Sequence, residues 1–122
     1  PYYKQVKAAK EFEKLYADDN IGGKTPEETL ALFLDAVKKE DFELASQYAI
    51  FDLRQNVRKS LDEIKNNNKI NLLVEDLSTA KIEIDGAFQG YVNAMVYRNG
   101  KRLGSVITMS KNKAEIWKII EF

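Results

Sequence analysis

Thr25-Pro26-Glu27-Glu28-Thr29-Leu30, continuing to Ala45, decides the fold together with Trp117-Lys118-Ile119 near the other end of the chain. The Thr25 hydroxyl can accept a hydrogen bond from a first-turn backbone N–H. Pro26 suits the first helical position, where a missing N–H costs nothing, and Glu28, three residues after Thr25, completes a capping box. Glu27 and Glu28 also sit at the positive end of the helix dipole. Leu30, Phe33, Leu34 and Val37 recur on one helical face, and Lys38 and Lys39 fall in the last turn. Asp41 can then cap a second helix carrying Phe42, Leu44, Ala45, Tyr48 and Ala49. A connection this short makes the two helices packing neighbours.

Outward from this pair, residues 3–19 read as a helix with Val6, Ala9, Phe12 and Tyr16 on one side, ended by Ile21-Gly22-Gly23-Lys24. On the other side, Asp52 is placed to cap a helix with Leu53, Val57, Leu61 and Ile64 on its face, stopped by Asn66-Asn67-Asn68. Residues 70–78 suit a short helix slightly better than a strand. From Ala80 the hydrophobic period becomes two. Lys81-Ile82-Glu83-Ile84 alternates, and Asp85-Gly86 marks a turn. Residues 88–98 and 101–110 form a hairpin about Asn99-Gly100, a type I′ turn signal, and Glu115 to Glu121 is the last strand. Helices followed by an antiparallel meander imply an α+β fold, N-terminal helices packed on one face of a curved four-stranded antiparallel sheet.

An unbroken hairpin register places Val92, Ala94 and Val96 with Leu103, Ser105, Ile107 and Met109 on the core face. Tyr91, Asn93, Met95 and Tyr97 then share the opposite face with Arg102, Gly104, Val106 and Thr108. If Trp117 and Ile119 point inward, Ile116, Ile120 and Phe122 point outward and enlarge that second face. It is apolar for a surface open to water, so Tyr91, Met95, Tyr97 and Val106 are the candidate interface, for a homodimer or a protein partner. The N-terminal helix is an alternative cover.

Composition narrows the chemistry. The 122 residues form one domain able to bury a core, and 44% hydrophobic with 31% charged residues is ordinary for a globular chain. Nineteen basic and nineteen acidic residues cancel, which argues against generic nucleic-acid binding. There is no cysteine and no histidine. Disulfides, thiol nucleophiles, the imidazole base and the commonest zinc ligands are thereby excluded. The chain opens at Pro1, and Tyr2-Tyr3-Lys4 is similar to the aromatic and basic residues found where chains leave a bilayer. Residues 1–24 are therefore expected to be a helix and Gly-Gly linker leading from a removed membrane anchor, and residues 25–122 the domain proper.

Pro26-Glu27-Glu28, Phe33-Leu34-Asp35-Ala36-Val37-Lys38-Lys39-Glu40-Asp41-Phe42-Glu43-Leu44-Ala45 and Trp117-Lys118-Ile119 resemble the nuclear-transport-factor-two-like (cystatin-like) superfamily. The nearest likeness is to its bacterial, often lipoprotein-type domains of unknown function. The resemblance implies a cone between helices and sheet, lined here by Phe33, Tyr48, Ile107 and Trp117, that could take a small apolar ligand. Enzymes of the superfamily resembling ketosteroid isomerase need a carboxylate base and an oxyanion-stabilising donor in that cone. The candidates are Glu83 and Asp85, with Tyr48, Tyr91 and Tyr97 as donors. Glu83 and Asp85 alternate with Ile82 and Ile84 and so read as water-facing, Asp85 as a turn residue. Members resembling scytalone dehydratase rely on histidine, absent here.

Other motifs read as structure. Glu75 and Asp76 are adjacent and do not share a helix face for a metal. Gly22-Gly23-Lys24-Thr25 lacks the first glycine and the strand of a phosphate loop. Arg98, Lys101, Arg102, Lys111 and Lys113 at the hairpin tips could touch an anion but read better as solubilising charge. The sequence thus points to a non-catalytic binding or scaffold domain without cofactor or metal, the extracytoplasmic part of a membrane-tethered bacterial protein. A small-molecule isomerase or dehydratase using the cone is the alternative.

Overall fold

The computed structural model describes residues 19–122; the helix expected over residues 3–19 and the juxtamembrane reading lie outside them, Asp19 excepted. Among the described residues, four α-helices precede an antiparallel sheet. They are α1 (Pro26–Lys38), α2 (Phe42–Gln47), α3 (Arg54–Asn66) and α4 (Ile70–Thr79). The sheet, in the order β1-β2-β3-β4, comprises β1 (Lys81–Ile84), β2 (Tyr91–Arg98), β3 (Lys101–Lys111) and β4 (Trp117–Glu121). The fold is α+β.

Local chemistry sets the helix ends. The Glu28 N–H donates to Thr25 Oγ1 at 3.1 Å, and the Lys24 N–H donates to the Glu28 carboxylate at 2.8 Å. The box therefore closes one residue earlier than its simplest form. Asp41 caps α2 through the Leu44 N–H at 3.1 Å. Asp52 does not cap α3. A 3₁₀ turn over Phe51–Leu53 intervenes, and Leu53 precedes the helix with no side-chain cap. Residues 70–78 are helical, because Leu73 and Leu77, one turn apart, both reach the core.

Two helices stop by the same device. Glu40 and Asn68 adopt φ values of 56° and 58°. At α1 the Glu40 N–H donates to Val37 and the Asp41 N–H to Ala36. At α3 the Asn68 N–H donates to Lys65 and the Lys69 N–H to Ile64. Both are Schellman motifs, in which a left-handed residue lets two orphan carbonyls be satisfied.

The core lies between the helices and one face of the sheet. Phe33, Val37, Val57, Leu61 and Leu77 from the helices meet Ala94, Ile107, Met109 and Ile119 from the strands. The hairpin turns at Asn99 and Gly100, both at positive φ as a type I′ turn requires.

The register departs from the unbroken ladder in three places. Arg98 pairs with Lys101, but Val96 pairs with Gly104 and Ala94 with Ile107, which leaves Leu103 and Val106 as extra residues on β3. On β4, Met109 pairs with Ile119 and Thr108 with Glu121, which leaves Ile120 extra. Each bulge bends its strand and re-aims its neighbours. Val106, expected on the outer face, instead packs against the core. Phe122, expected outward, falls on the helix side, where its ring meets Phe33 edge-on at 5.5 Å. Leu103, expected in the core, is 55% exposed.

Glu40 occupies a backbone region that disfavours residues carrying a Cβ. Glu40→Gly should raise stability by about 0.5–1 kcal/mol in urea denaturation, net of the entropy glycine adds to the unfolded chain. A loss would mean that the α1 stop is held by the Glu40 side chain rather than by the backbone.

Candidate functional site

The expected cone residues come together, but as packing. Phe33 and Ile107 are fully buried in the core, Tyr48 is nearly so, and Trp117 packs against it half-buried. The Tyr48 hydroxyl is held above its ordinary pKa first by burial and then by the charges of Asp35 and Asp41. Among the grooves of the described residues, one between α1, α4 and β1 is lined by Leu30, Leu34, Leu77 and Ile82, and another opens at the mouth between α3, α4 and the sheet. A groove of about 400 Å³ is lined there by Ser60, Glu63, Ile64, Asn67, Leu73, Val106 and Phe122. Its sheet-side wall exists because the bulges turned Val106 and Phe122 toward the helices.

On the other sheet face, Tyr97 donates its hydroxyl to Glu83 at 2.6 Å, Arg102 lies 3.7 Å from the same carboxylate, and the Lys81 ammonium stands over the Tyr97 ring at 4.9 Å. The Glu83 hydrogen bond, with burial and the Glu83 charge behind it, raises the Tyr97 pKa. A carboxylate and a tyrosine therefore do meet, but on the face away from the core, with Glu83 one-third exposed. Asp85 caps its own turn. It accepts from the Ala87 and Phe88 N–H groups at 2.8 and 3.0 Å and from Asn93 Nδ2 at 3.0 Å. The Asn93 bond first, then the two backbone bonds, hold its carboxyl below the ordinary value.

Of the four candidate interface residues, Tyr91 is exposed and Tyr97 partly so. Met95 is only 4% exposed and Val106 faces the helices. The bulges explain Val106; Met95, buried on β2, presents no free surface. Arg98 is engaged at 3.3 and 2.7 Å by the two carboxylate oxygens of Asp76, so the basic hairpin tip is partly neutralised.

One charged group, part of the closing-strand motif, has no role of its own in the sequence reading. Lys118 is 2% exposed. Its ammonium donates to the Ile21 and Gln47 carbonyls at 2.6 Å each and contacts the Asp19 carboxylate at 2.9 Å. Arg54 reaches the same carboxylate at 2.7 Å and the Ala49 carbonyl at 3.3 Å. Burial lowers the Lys118 pKa, Asp19 opposes that shift, and Arg54 adds to it. The signal available was a lysine flanked by Trp117 and Ile119 in a strand whose other charge, Glu121, is terminal; its acid lies at the far end of the described chain.

Comparison with protein-family models, with curated proteins and with solved structures returned no match.

Lys118→Met leaves Asp19 buried with one cation fewer and two carbonyls without their donor. The variant should lose about 3–5 kcal/mol in urea denaturation; a loss below about 1 kcal/mol would mean that water replaces the ammonium.

For Asp85 the sign follows from its depressed pKa. Its contribution to stability is present above the ordinary carboxyl value of 3.8 and is lost as pH falls through the lower folded value. Carbon-detected NMR titration should place the Asp85 midpoint below 3.8, and Asn93→Ala should move it upward. An unchanged midpoint in the variant would leave the backbone donors as the whole cause.

Proposed function

We propose that this chain is a non-catalytic ligand- or protein-binding domain of the nuclear-transport-factor-two-like build that its helix pair and closing strand resemble. The observation that carries the reading is the filling of the interior. Phe33, Met109 and Ile119 are 0% exposed and Ile107 is 1% exposed, where a superfamily enzyme would seat its substrate. A small apolar ligand is offered the mouth groove bounded by Ile64, Leu73, Val106 and Phe122, apolar surface with a few polar groups at its rim. Tyr91 and Tyr97 on the outer sheet face supply a second surface, suited to protein contact. The resemblance to lipoprotein-type domains, with Tyr2-Tyr3-Lys4, extends the proposal to an extracytoplasmic, membrane-tethered bacterial protein.

The isomerase or dehydratase reading has one observation in its favour, the 2.6 Å hydrogen bond from Tyr97 to Glu83. A base of that chemistry gains strength and a tuned pKa from a dry, enclosed site. Glu83 is one-third exposed, lies on the face away from the core and is shared with Arg102, which favours the binding reading.

Methyl NMR with a medium-chain fatty acid as probe tests the proposal. Saturable shifts are expected at Ile64, Leu73 and Val106, with Ile107 and Met109 unmoved, and Val106→Glu should abolish them. Shifts centred on Ile107, or turnover of an isomerisable ketone that Glu83→Gln removes, would overturn it.

A further inference from the structure

The two edges of the sheet are treated differently. Along β4, the Trp117 N–H donates to the Gly23 carbonyl, the Ile119 N–H to Tyr48, and the Ile50 N–H to the Ile119 carbonyl, each at 2.9 Å. That edge is closed by the chain itself. Among the described residues strand β1 pairs only with β2. The Asp85 N–H donates to the Tyr91 carbonyl and continues the register of Lys81 with Met95 and Glu83 with Asn93. In an antiparallel ladder alternate residues bond to the same neighbour, so Ile82 and Ile84 direct their backbone groups away from β2. Among the described residues no other segment bonds to them. Ile84 is 85% exposed.

We infer that β1 is a self-pairing edge, across which a second copy of this chain adds antiparallel to give a continuous eight-stranded sheet. The sequence of the strand selects this occupant. Opposed residues of an antiparallel pair lie on the same face, so a two-fold axis must pass through a residue position. With the axis at Ile82, Ile82 meets the partner's Ile82, Ala80 meets the partner's Ile84, and Lys81 meets the partner's Glu83. Each contact is apolar on the helix side or of opposite charge on the outer side. With the axis at Glu83, Glu83 would face its own copy, a repulsive pairing. Five residues, Ala80 to Ile84, complementary to themselves in one register fit a second copy better than a foreign strand. An exposed edge carrying apolar side chains is a ready template for such pairing.

Sedimentation velocity on the full chain, from micromolar to millimolar concentration, tests the inference through charge reversal. Wild type should show a concentration-dependent dimer. Lys81→Glu sets Glu against Glu83, and Glu83→Lys sets Lys against Lys81, so each should weaken dimerisation by about tenfold or more. An equimolar mixture of the two variants should recover the wild-type affinity, because every cross-edge pair is then of opposite charge. Ile84→Pro, at a solvent-facing N–H that β2 does not use, should weaken dimerisation with the fold intact by circular dichroism, and stands in should either charge variant unfold. A wild-type monomer at all concentrations, a dimer indifferent to both reversals and to Ile84→Pro, or a mixture that fails to recover would each overturn the inference. So would an extended foreign peptide that bound this edge of a monomeric wild type.

Discussion

One buried ammonium group ties the architecture together. Lys118 projects from β4 and takes its hydrogen-bond partners from the segment before α1, through Ile21 and Asp19, and from the end of α2, through Gln47. An ammonium withdrawn from water is tolerated only with strong partners, and here two carbonyls and a carboxylate supply them. The same three segments are joined a few ångströms away by backbone. Gly23 and Tyr48 each accept from β4, and the Thr29 hydroxyl accepts from the Gly23 N–H while donating to the Trp117 carbonyl, both at 2.9 Å. Gly23 is required at this junction, since a Cβ there would collide with Glu28 and lie 2.7 Å from the Thr29 nitrogen. The placement of α1 on the sheet, and with it the core, follows from this seam.

The bulges set what the other end of the fold offers. A strictly regular β3 and β4 would send Val106 and Phe122 out to solvent and leave the helix side short of volume beside Leu73 and Ile64. Three extra residues turn those side chains inward against the core, while leaving a shallow groove at the rim. Filling and groove thus share one cause, and it is a backbone irregularity rather than a choice of side chain.

The sequence was legible where structure is local. Thr25 and Asp41 act as caps, Asn99-Gly100 turns the hairpin, and Leu30, Phe33 and Val37 face the core, because each depends on neighbours within a turn or two of chain. Asp52 failed as a cap because an extra 3₁₀ turn cannot be distinguished from a helix start by residue type. The bulges were illegible since hydrophobic alternation counts residues and assumes that each has a partner. Leu103, Val106 and Phe122 were misplaced for that single reason. Lys118 escaped notice because its partners are remote in sequence; a lone lysine in a strand ordinarily reaches water.

The seam at β4 also orders events in time. Lys118 meets Ile21 across 97 residues of chain, and Thr29 meets Trp117 across 88. Loop closure over such distances is entropically slow, and folding rates fall as contacts become less local. During synthesis α1 and α2 emerge early, yet Lys118, which joins Arg54 on Asp19, and the Trp117 N–H and carbonyl that meet Gly23 and Thr29 belong to a strand made long after. Until β4 is in place these segments have no sheet edge to join. Closure of the domain is therefore coupled to the docking of β4, the last strand of the sheet.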